Sequence, residues 1–440
     1  LHLVPGVVNQ SFITDIDSPV PSVADLDQDN ISLSSDEVDR YGLHIKRKDD
    51  LYQELLRSLN LDRYSRIVII TNFEVFDNNG GSQNSYHRSF WLHVGSQTPL
   101  DTICTKAKIG SGGSVVTTIL KSDAASLKNA EIVTLVRKQE QASVLEQLGL
   151  SSLLFRGLDD VKFLQSTAKD FDMELKHNES QVSSLLKILV VINNASASHA
   201  ASAAALIRGL ADRKQQSGKD VFYIHVSLIG IQYRSRLTNP QTSGISSIAD
   251  HPITGTYHEQ RIFNDIDGDI YEYQKQREAQ TPYIQRTTDI TVIEEAEKHN
   301  VPAIIIMAPT IFGKGIGPLN KVSIQIPEMI RSALKQGQSE VVGDGKAVWS
   351  NVHIEDLMDL YEIIIQKVAG KDDIPNGRRG IYFASTAVAS WREIAEKIGV
   401  VCKAQGKLST EHVKSISLED AAEKWTAGSL QYAEVAYSSK

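Results

Sequence analysis

The chain has 440 residues, 41% hydrophobic and 23% charged, which is typical of a folded globular protein. The net charge of −8 and the lack of a basic block argue against nucleic acid as a partner. No apolar run reaches the roughly 20 residues of a membrane-spanning helix, so no membrane partner is expected. Cys104 and Cys402 are the only cysteines and lie far apart, which predicts no metal site and a reducing, cytoplasmic setting.

The first 65 residues are predicted to be an acidic, largely disordered N-terminal extension, because aspartates alternate there with serine and proline. The apolar run in Arg66–Thr71 predicts a buried strand. Residues 74–109 show no clean period and are predicted to be irregular.

Strands and helices alternate from residue 110 onward, which predicts a doubly wound, Rossmann-type parallel sheet in an α/β protein. The predicted strands are 131–136, 153–155, 188–192, 221–225 and 301–307, and the predicted helices are 113–121, 140–148, 161–171, 199–212 and the segment that begins at Tyr283. Later helices, at 326–336, 357–368 and 391–398, predict a small, mostly helical substrate-binding lobe. We therefore expect a nucleotide-binding domain over 66–310 and this lobe over 311–440.

Four sequence elements follow one another in the later part of the chain: a tyrosine-led helix, a buried strand, a glycine-containing loop and a His-x-x-Asp motif. They are Tyr283-Ile-Gln-Arg-Thr, the strand 301–307, Pro309-Thr-Ile-Phe-Gly-Lys-Gly and His353-Ile-Glu-Asp. This order resembles the extended short-chain dehydrogenase/reductase family, which includes nucleotide-sugar epimerases and dehydratases. The resemblance covers about residues 110–437 and is closest to fungal NAD-dependent epimerase/dehydratase-like proteins, with the NmrA-like regulators as more distant relatives.

The resemblance implies an NAD or NADP cofactor and a small-molecule substrate, and it leaves a homodimer open. Gly110, Gly112 and Gly113 stand where the family binds the pyrophosphate, although a merely flexible turn explains them equally well. Arg137 follows the second strand of the alternating pattern, where a guanidinium suits the 2′-phosphate of NADP, so NADP is slightly favoured. A solvent-facing arginine is the alternative.

Five further residues, in three segments, match cofactor contacts of the family. Asp159 and Asp160 stand at the adenine contact, and a helix N-cap is an equally good interpretation. Asn193 and Ala195 lie in the small-residue loop beside the nicotinamide, where a tight turn is the alternative. Pro309 opens the loop after strand 301–307 and completes the expected cofactor site.

The catalytic residues of this family are a serine or threonine, a tyrosine and a lysine four residues after the tyrosine. The lysine lowers the tyrosine pKa from its solution value of about 10. Ser243 and Tyr283 match the first two positions, but residue 287 is threonine, so Arg286 is the candidate for the positive charge. Tyr271 and Lys275 also have the required spacing, although their polar segment is typical of a solvated helix face.

The substrate side of the site is predicted from the loops. His258 lies between Ser243 and Tyr283, where it could donate a proton, with a surface histidine as the alternative. Phe312 and Lys314 match the loop that closes over the substrate in the family. The predicted activity is an NAD(P)-dependent oxidoreductase or epimerase that acts on a small carbonyl, alcohol or sugar-like substrate.

Two polar segments interrupt the family pattern, at 173–189 and 226–241, and we interpret them as insertions of retained-intron type. Two alternatives to an active enzyme therefore stay open. The first is a non-catalytic, NAD(P)-sensing NmrA-like regulator, which the absent lysine favours. The second is a non-functional product of an imperfect gene model.

Overall fold

A computed structural model describes residues 66–71, 111–127, 130–174, 188–227, 247–248, 263–319 and 321–437. The described strands are β1 (Arg66–Thr71), β2 (Glu131–Val136), β3 (Ser151–Leu154), β4 (Ile188–Asn194), β5 (Asp220–Ser227), β6 (Ala303–Met307), β7 (Thr310–Phe312), β8 (Ser339–Val342), β9 (Val348–His353), β10 (Ile381–Phe383), β11 (Ala387–Ser390) and β12 (Val413–Ile416). The described α-helices are α1 (Ser111–Lys121), α2 (Gln139–Glu146), α3 (Val161–Glu174), α4 (Ala200–Ser217), α5 (Ile270–Gln280), α6 (Ile284–Lys298), α7 (Gln325–Gln336), α8 (Ile354–Gly370), α9 (Trp391–Ala404), α10 (Leu418–Trp425) and α11 (Leu430–Tyr437).

Seven of these strands form one parallel sheet in the order β10-β6-β5-β4-β1-β2-β3. β1 pairs with β2 on one side and with β4 on the other, so the strand order reverses at β1. In such sheets ligands bind in the crevice outside the carboxyl ends of the strands at this reversal. We therefore expect a ligand to bind near the carboxyl ends of β1, β2 and β4.

Both faces of the large sheet are covered, which explains why its strands are apolar almost throughout. On one face the side chains of α1, α2 and α8 pack on alternate strand residues such as Val190 and Ile192. On the other face α3, α4, α5 and α6 pack on the residues between them, such as Leu189 and Val191. The alternation of strand side chains therefore sends neighbouring residues into separate cores.

A third core belongs to the small lobe and is rich in aromatic rings. Trp391 packs against Trp349 and Tyr437 with ring centroids 5.8 and 5.5 Å apart. Two small sheets, β11-β9-β7 and β12-β8, flank the helices of the lobe. The expectation of a mostly helical lobe thus omitted two sheets, whose strands have only three to six residues.

The described elements confirm the predicted doubly wound α/β fold, with two differences in the chain path. After residue 310 the chain returns to the large sheet: β10 pairs with β6, and α8 covers one face of the sheet. The expected boundary between the two domains at residue 310 therefore does not follow the observed chain path. Helix α3 extends to Glu174, β4 begins at Ile188 and β5 continues to Ser227. The ends of both proposed insertions are therefore parts of regular elements, and 175–187 and 228–241 lie outside the described residues.

No described helix has the length and apolarity needed to cross a membrane.

Candidate functional site

The first turn of α1 lies at the carboxyl edge of the sheet and touches the loop that follows β7. Gly112 and Gly113 are buried there. A Cβ placed on Gly317 would lie 2.4 Å from the carbonyl carbon of Gly113, so only glycine allows the two backbones to approach this closely. The predicted phosphate loop and the predicted substrate-closing loop are therefore in contact. Gly110 lies outside the described residues.

Unpaired polar atoms occur around this turn and at the ends of the neighbouring strands. Ser114 Oγ in α1, Asn194 Nδ2 at the end of β4 and Thr310 Oγ1 in β7 are buried and have no hydrogen-bond partner among the described groups. Buried polar atoms normally have partners, and the first backbone N–H groups of a helix suit an anion. The residues present thus fit a phosphate-bearing polar ligand.

Asn193 and Asn194 end β4 and have different surroundings. Fully buried Asn193 donates from Nδ2 to the hydroxyl of Tyr223 (2.9 Å) and accepts from the Ala195 N–H (3.2 Å), so it fixes the loop. Asn194 points to the opposite face, where its Oδ1 accepts from the Tyr361 hydroxyl (3.0 Å) and its Nδ2 remains unpaired. Sequence reasoning missed Asn194, although strand alternation separates the two asparagines.

The residues predicted to contact the adenine end follow β2 and β3. Arg137 is half-buried, and its backbone N–H donates to Oε1 of Gln141 at 3.2 Å. Asp160 Oδ1 accepts from the N–H of Phe163 (3.2 Å) in the first turn of α3, as a helix cap does. Exposed Asp159 lies 3.1 Å from Nε2 of His199, which joins the loops after β3 and β4.

Tyr283 is the N-cap residue of α6, and its ring is 7% exposed. Because α6 connects to the start of parallel strand β6, its first residue lies at the carboxyl edge of the sheet. The Tyr283 hydroxyl donates to Oε1 of Gln285 at 3.1 Å. Thr287 is exposed, and its hydroxyl contacts the backbone carbonyl of Tyr283 (3.2 Å) and the carboxyl group of Glu278.

Arg286 is fully buried, in contrast to the exposed Thr287. Its Nε donates to the carbonyl of Ser247 (2.6 Å) and its Nη1 to the carbonyl of Thr281 (2.9 Å). Its Cζ lies 5.7 Å from the ring centroid of Tyr283. The guanidinium thus fixes two loops and places positive charge beside the tyrosine. Burial lowers the pKa of Arg286.

Tyr271 belongs to α5 and its hydroxyl faces Glu294 of α6. It is 4% exposed, so the prediction of a solvated position was wrong for this ring. Its hydroxyl donates to Oε1 of Glu294 (3.0 Å), which Lys275 also contacts at 2.7 Å, and burial raises the pKa of Tyr271 to about 12. Tyr271 and Lys275 therefore form a structural cluster with Glu294.

The loop of Phe312 and Lys314 contacts the start of α8. Phe312 packs edge-on against His353, with ring centroids 5.2 Å apart, and Lys314 is exposed. Gly313 has a φ of +90°, and a Cβ there would lie 2.2 Å from Nε2 of His353. His353 Nδ1 also caps α8 by accepting from the Glu355 N–H (3.3 Å). The motif around His353 therefore positions the loop.

Pro309 is buried directly after β6, next to this loop. Ser243 and His258 lie outside the described residues, so their roles stay predictions. Among the described residues, no group of three histidine, cysteine, aspartate or glutamate side chains could hold a metal ion.

Comparisons with known proteins point to one family. Residues 265–376 match the model of the NAD dependent epimerase/dehydratase family. An oxidase, ucsJ, from Acremonium sp. is 27% identical over 308 residues, which are 66% of this chain and 77% of the relative.

Solved structures also match at low identity. A dTDP-glucose 4,6-dehydratase from Bacillus anthracis in complex with NAD has a TM-score of 0.42 at 12% identity, with 84% of this chain and 96% of that chain covered. A triphenylmethane reductase from Citrobacter sp. complexed with NADP(H) has a TM-score of 0.42 at 11% identity, with 74% and 83% covered. The matched segment contains Tyr283, the glycine loop and His353, so this part of the chain is similar to the NAD dependent epimerase/dehydratase family.

Proposed function

We propose that the protein is an NAD(P)-dependent oxidoreductase or epimerase that acts on a small carbonyl, alcohol or sugar-like substrate. One observation supports this most: the first turn of α1, the loop after β7 and Tyr283 all lie at the carboxyl edge of one parallel sheet. The family match and the oxidase relative agree with this class of chemistry.

The dinucleotide would lie across the end of α1. Backbone N–H groups of Gly112 and Gly113 would bind the pyrophosphate, with the unpaired hydroxyl of Ser114 beside them. Asn194 would offer its unpaired amide to the nicotinamide half. Arg137 would pair with the 2′-phosphate of NADP. A bound nicotinamide would supply or accept a hydride.

Tyr283 would give or take the proton of the substrate oxygen. Its ring is buried at the edge of the sheet, and its hydroxyl donates to Oε1 of Gln285. Arg286 supplies a fixed positive charge beside the ring and holds the carbonyl of Ser247. This arginine would take over the electrostatic part of the lysine's role from a different helical position.

A regulator that binds the cofactor without turnover is the second candidate. It is favoured by the exposed Thr287 and by the use of two Arg286 nitrogens for backbone carbonyls, which leaves no mobile cation at the usual position. Both candidates require dinucleotide binding, and only the enzyme requires turnover.

The experiment compares Tyr283→Phe with Tyr271→Phe in a screen of carbonyl, alcohol and nucleotide-sugar substrates, followed by nicotinamide absorbance. Tyr271 is the matched control, because it is also buried and hydrogen-bonded but belongs to the Glu294 cluster. Loss of general acid–base assistance should lower turnover by about 10²–10⁴-fold in Tyr283→Phe only. Full turnover in Tyr283→Phe would rule out this tyrosine as the proton donor. Dinucleotide binding without turnover on any substrate would favour the regulator.

A further inference from the structure

A second group of polar side chains is buried behind Tyr283, inside the face of the sheet that α6 covers. His225 in β5 and Asp289 in α6 are both fully buried, and His225 Nε2 lies 3.9 Å from Asp289 Oδ1. The imidazole of His225 is stacked near the ring of Tyr223, at 6.3 Å between centroids. Neither residue has been given a role in the proposed reaction.

Unpaired polar atoms converge on this carboxyl group. The side-chain atoms without a hydrogen-bond partner among the described groups are both ring nitrogens of His225, Oδ1 of Asp289, Oε1 of Gln274 and Nη2 of Arg286, and the Ser227 hydroxyl interacts with the carboxyl group of Asp289. The other carboxyl oxygen of Asp289 accepts from Nε2 of Gln274 at 3.1 Å, and the same nitrogen lies 3.0 Å from Ser247 Oγ. Such a concentration of unsatisfied buried groups in one place requires a physical explanation.

The separation of His225 and Asp289 decides what can satisfy them. A distance of 3.9 Å is too long for a direct hydrogen bond. At this distance in a low-dielectric interior, a charge on one group acts strongly on the other. The pair therefore consists of a buried acid and a buried base that are close enough to influence each other's protonation.

Burial determines which atom holds the proton. Desolvation raises the pKa of Asp289 to about 7, and the serines, Gln274 and Arg286 only partly oppose this. Desolvation also lowers the pKa of His225 to about 4. Between about pH 4 and 7 the proton therefore resides on the carboxyl group and the imidazole is neutral, which leaves one donor and one acceptor beside each other.

The other charged and titratable groups around the pair come from three elements. Helix α5 contributes Arg277 and Glu278, and Glu278 Oε2 lies 3.8 Å from Nη1 of Arg286. Helix α6 contributes Arg286, whose charge lowers the pKa of Asp289. Strand β5 contributes Tyr223, and burial raises its pKa. The charge of Arg286 thus acts on both the carboxyl group of Asp289 and the ring of Tyr283.

We propose that His225 and Asp289 hold one proton between them and act as positioning residues for acid–base chemistry at Tyr283. When the proton leaves the carboxyl group, the new carboxylate offsets the charge of Arg286 and weakens the positive field at the tyrosine ring. When the proton returns, that field is restored. The consequence for turnover rests on the proposed function, whereas the shared proton does not.

The shared proton is tested directly by infrared spectroscopy of the full chain in D2O. The difference spectrum between wild type and Asp289→Asn should contain the carbonyl band of a protonated carboxylic acid at pH 6, and the band should fade as pH rises through about 7. His225→Phe keeps an aromatic ring beside Tyr223 and removes the acceptor nitrogen, so it should move the band to higher frequency. Asp356→Asn removes a half-buried aspartate outside this group and should leave the band unchanged.

A measurement on the unaltered chain covers the case in which a variant does not fold. In ¹⁵N-histidine NMR, one of the 12 histidines should stay neutral on acidification through pH 6.5, when exposed histidines become charged. A missing acid band at pH 6, or twelve histidines that all titrate near 6.5, would overturn the proposal. Cofactor titration is a separate readout, so its failure would remove only the proposed function.

The positioning role has its own readout in the pH profile. Asp289→Asn should keep the affinity for the cofactor and remove the step near pH 7 from the turnover profile. An unchanged profile in Asp289→Asn would refute the positioning role.

Discussion

The buried pair His225 and Asp289 predicts two single variants whose stabilities depend on pH in opposite directions. The pKa of Asp289 is raised by burial from its ordinary 3.8 to about 7. Between these values the folded chain holds a proton that the unfolded chain has lost, so Asp289 makes stability fall as pH rises. At 1.36 kcal/mol for each pH unit, the loss amounts to roughly 4 kcal/mol.

His225 acts in the opposite direction. Its pKa is lowered from 6.5 to about 4, so between these values the unfolded chain holds the extra proton and stability rises with pH, by roughly 3 kcal/mol. In the wild-type chain the two dependences nearly cancel from about pH 4 to 6.5. In Asp289→Asn the stability should therefore rise with pH, and in His225→Phe it should fall with pH. In the double variant the stability should be nearly independent of pH.

Hydrogen exchange measured by mass spectrometry is the suitable assay, because the peptides from β5 and α6 report the stability of these two elements separately from the rest of the chain. Tryptophan fluorescence would instead report on the small lobe, where Trp349, Trp391 and Trp425 pack. Asp220→Asn is the control, since Asp220 also lies in β5 but is exposed. If stability changed with pH in the same direction in both single variants, or in neither of them, the assignment of a buried neutral pair would be refuted.

Three further predictions concern the candidate site. Gly313→Ala should destabilise the small lobe by about 1–3 kcal/mol because of the positive φ alone, and the clash with His353 should increase this loss. Tryptophan fluorescence during thermal unfolding would measure the loss, and an unchanged Tm would contradict the geometry. Arg137→Ala should weaken NADP by about 1.5–3 kcal/mol and leave NAD nearly unchanged in calorimetric titration, and equal losses would make Arg137 structural. Arg286 cannot titrate in the accessible pH range. Turnover in Asp289→Asn should therefore rise with pH in a single step, and a bell-shaped pH profile would require a second titrating group.

The sequence was sufficient for most of the large sheet, for a physical reason. Strands such as β4 and β6 are buried on both faces, so they are continuously apolar and stand out from their helices. β10 was missed because three residues carry too short a pattern. Tyr271 was misplaced because α5 buries polar side chains such as Gln274 and Arg277, which hide the period of its buried face.

The candidate site was less accessible to sequence reasoning. The family resemblance selected Tyr283 and Arg286, but the burial of Arg286 and its bonds to two backbone carbonyls depend on loops that sequence cannot orient. His225 and Asp289 lie 64 positions apart on a strand and a helix, so no local motif joins them. The available signal was a histidine inside the mostly apolar strand β5, whereas α6 buries Gln285, Arg286 and Thr288 beside Asp289, so the aspartate did not stand out.

The central claim is that this chain binds a nicotinamide dinucleotide at the first turn of α1, and calorimetric titration of the full chain with NADP, NADPH, NAD and NADH tests it most directly. We expect saturable binding of at least one of the four, weakened when Gly317→Val places a side chain against the backbone of Gly113, and unaffected by Asp220→Asn. No binding of any of them at millimolar concentration would contradict it.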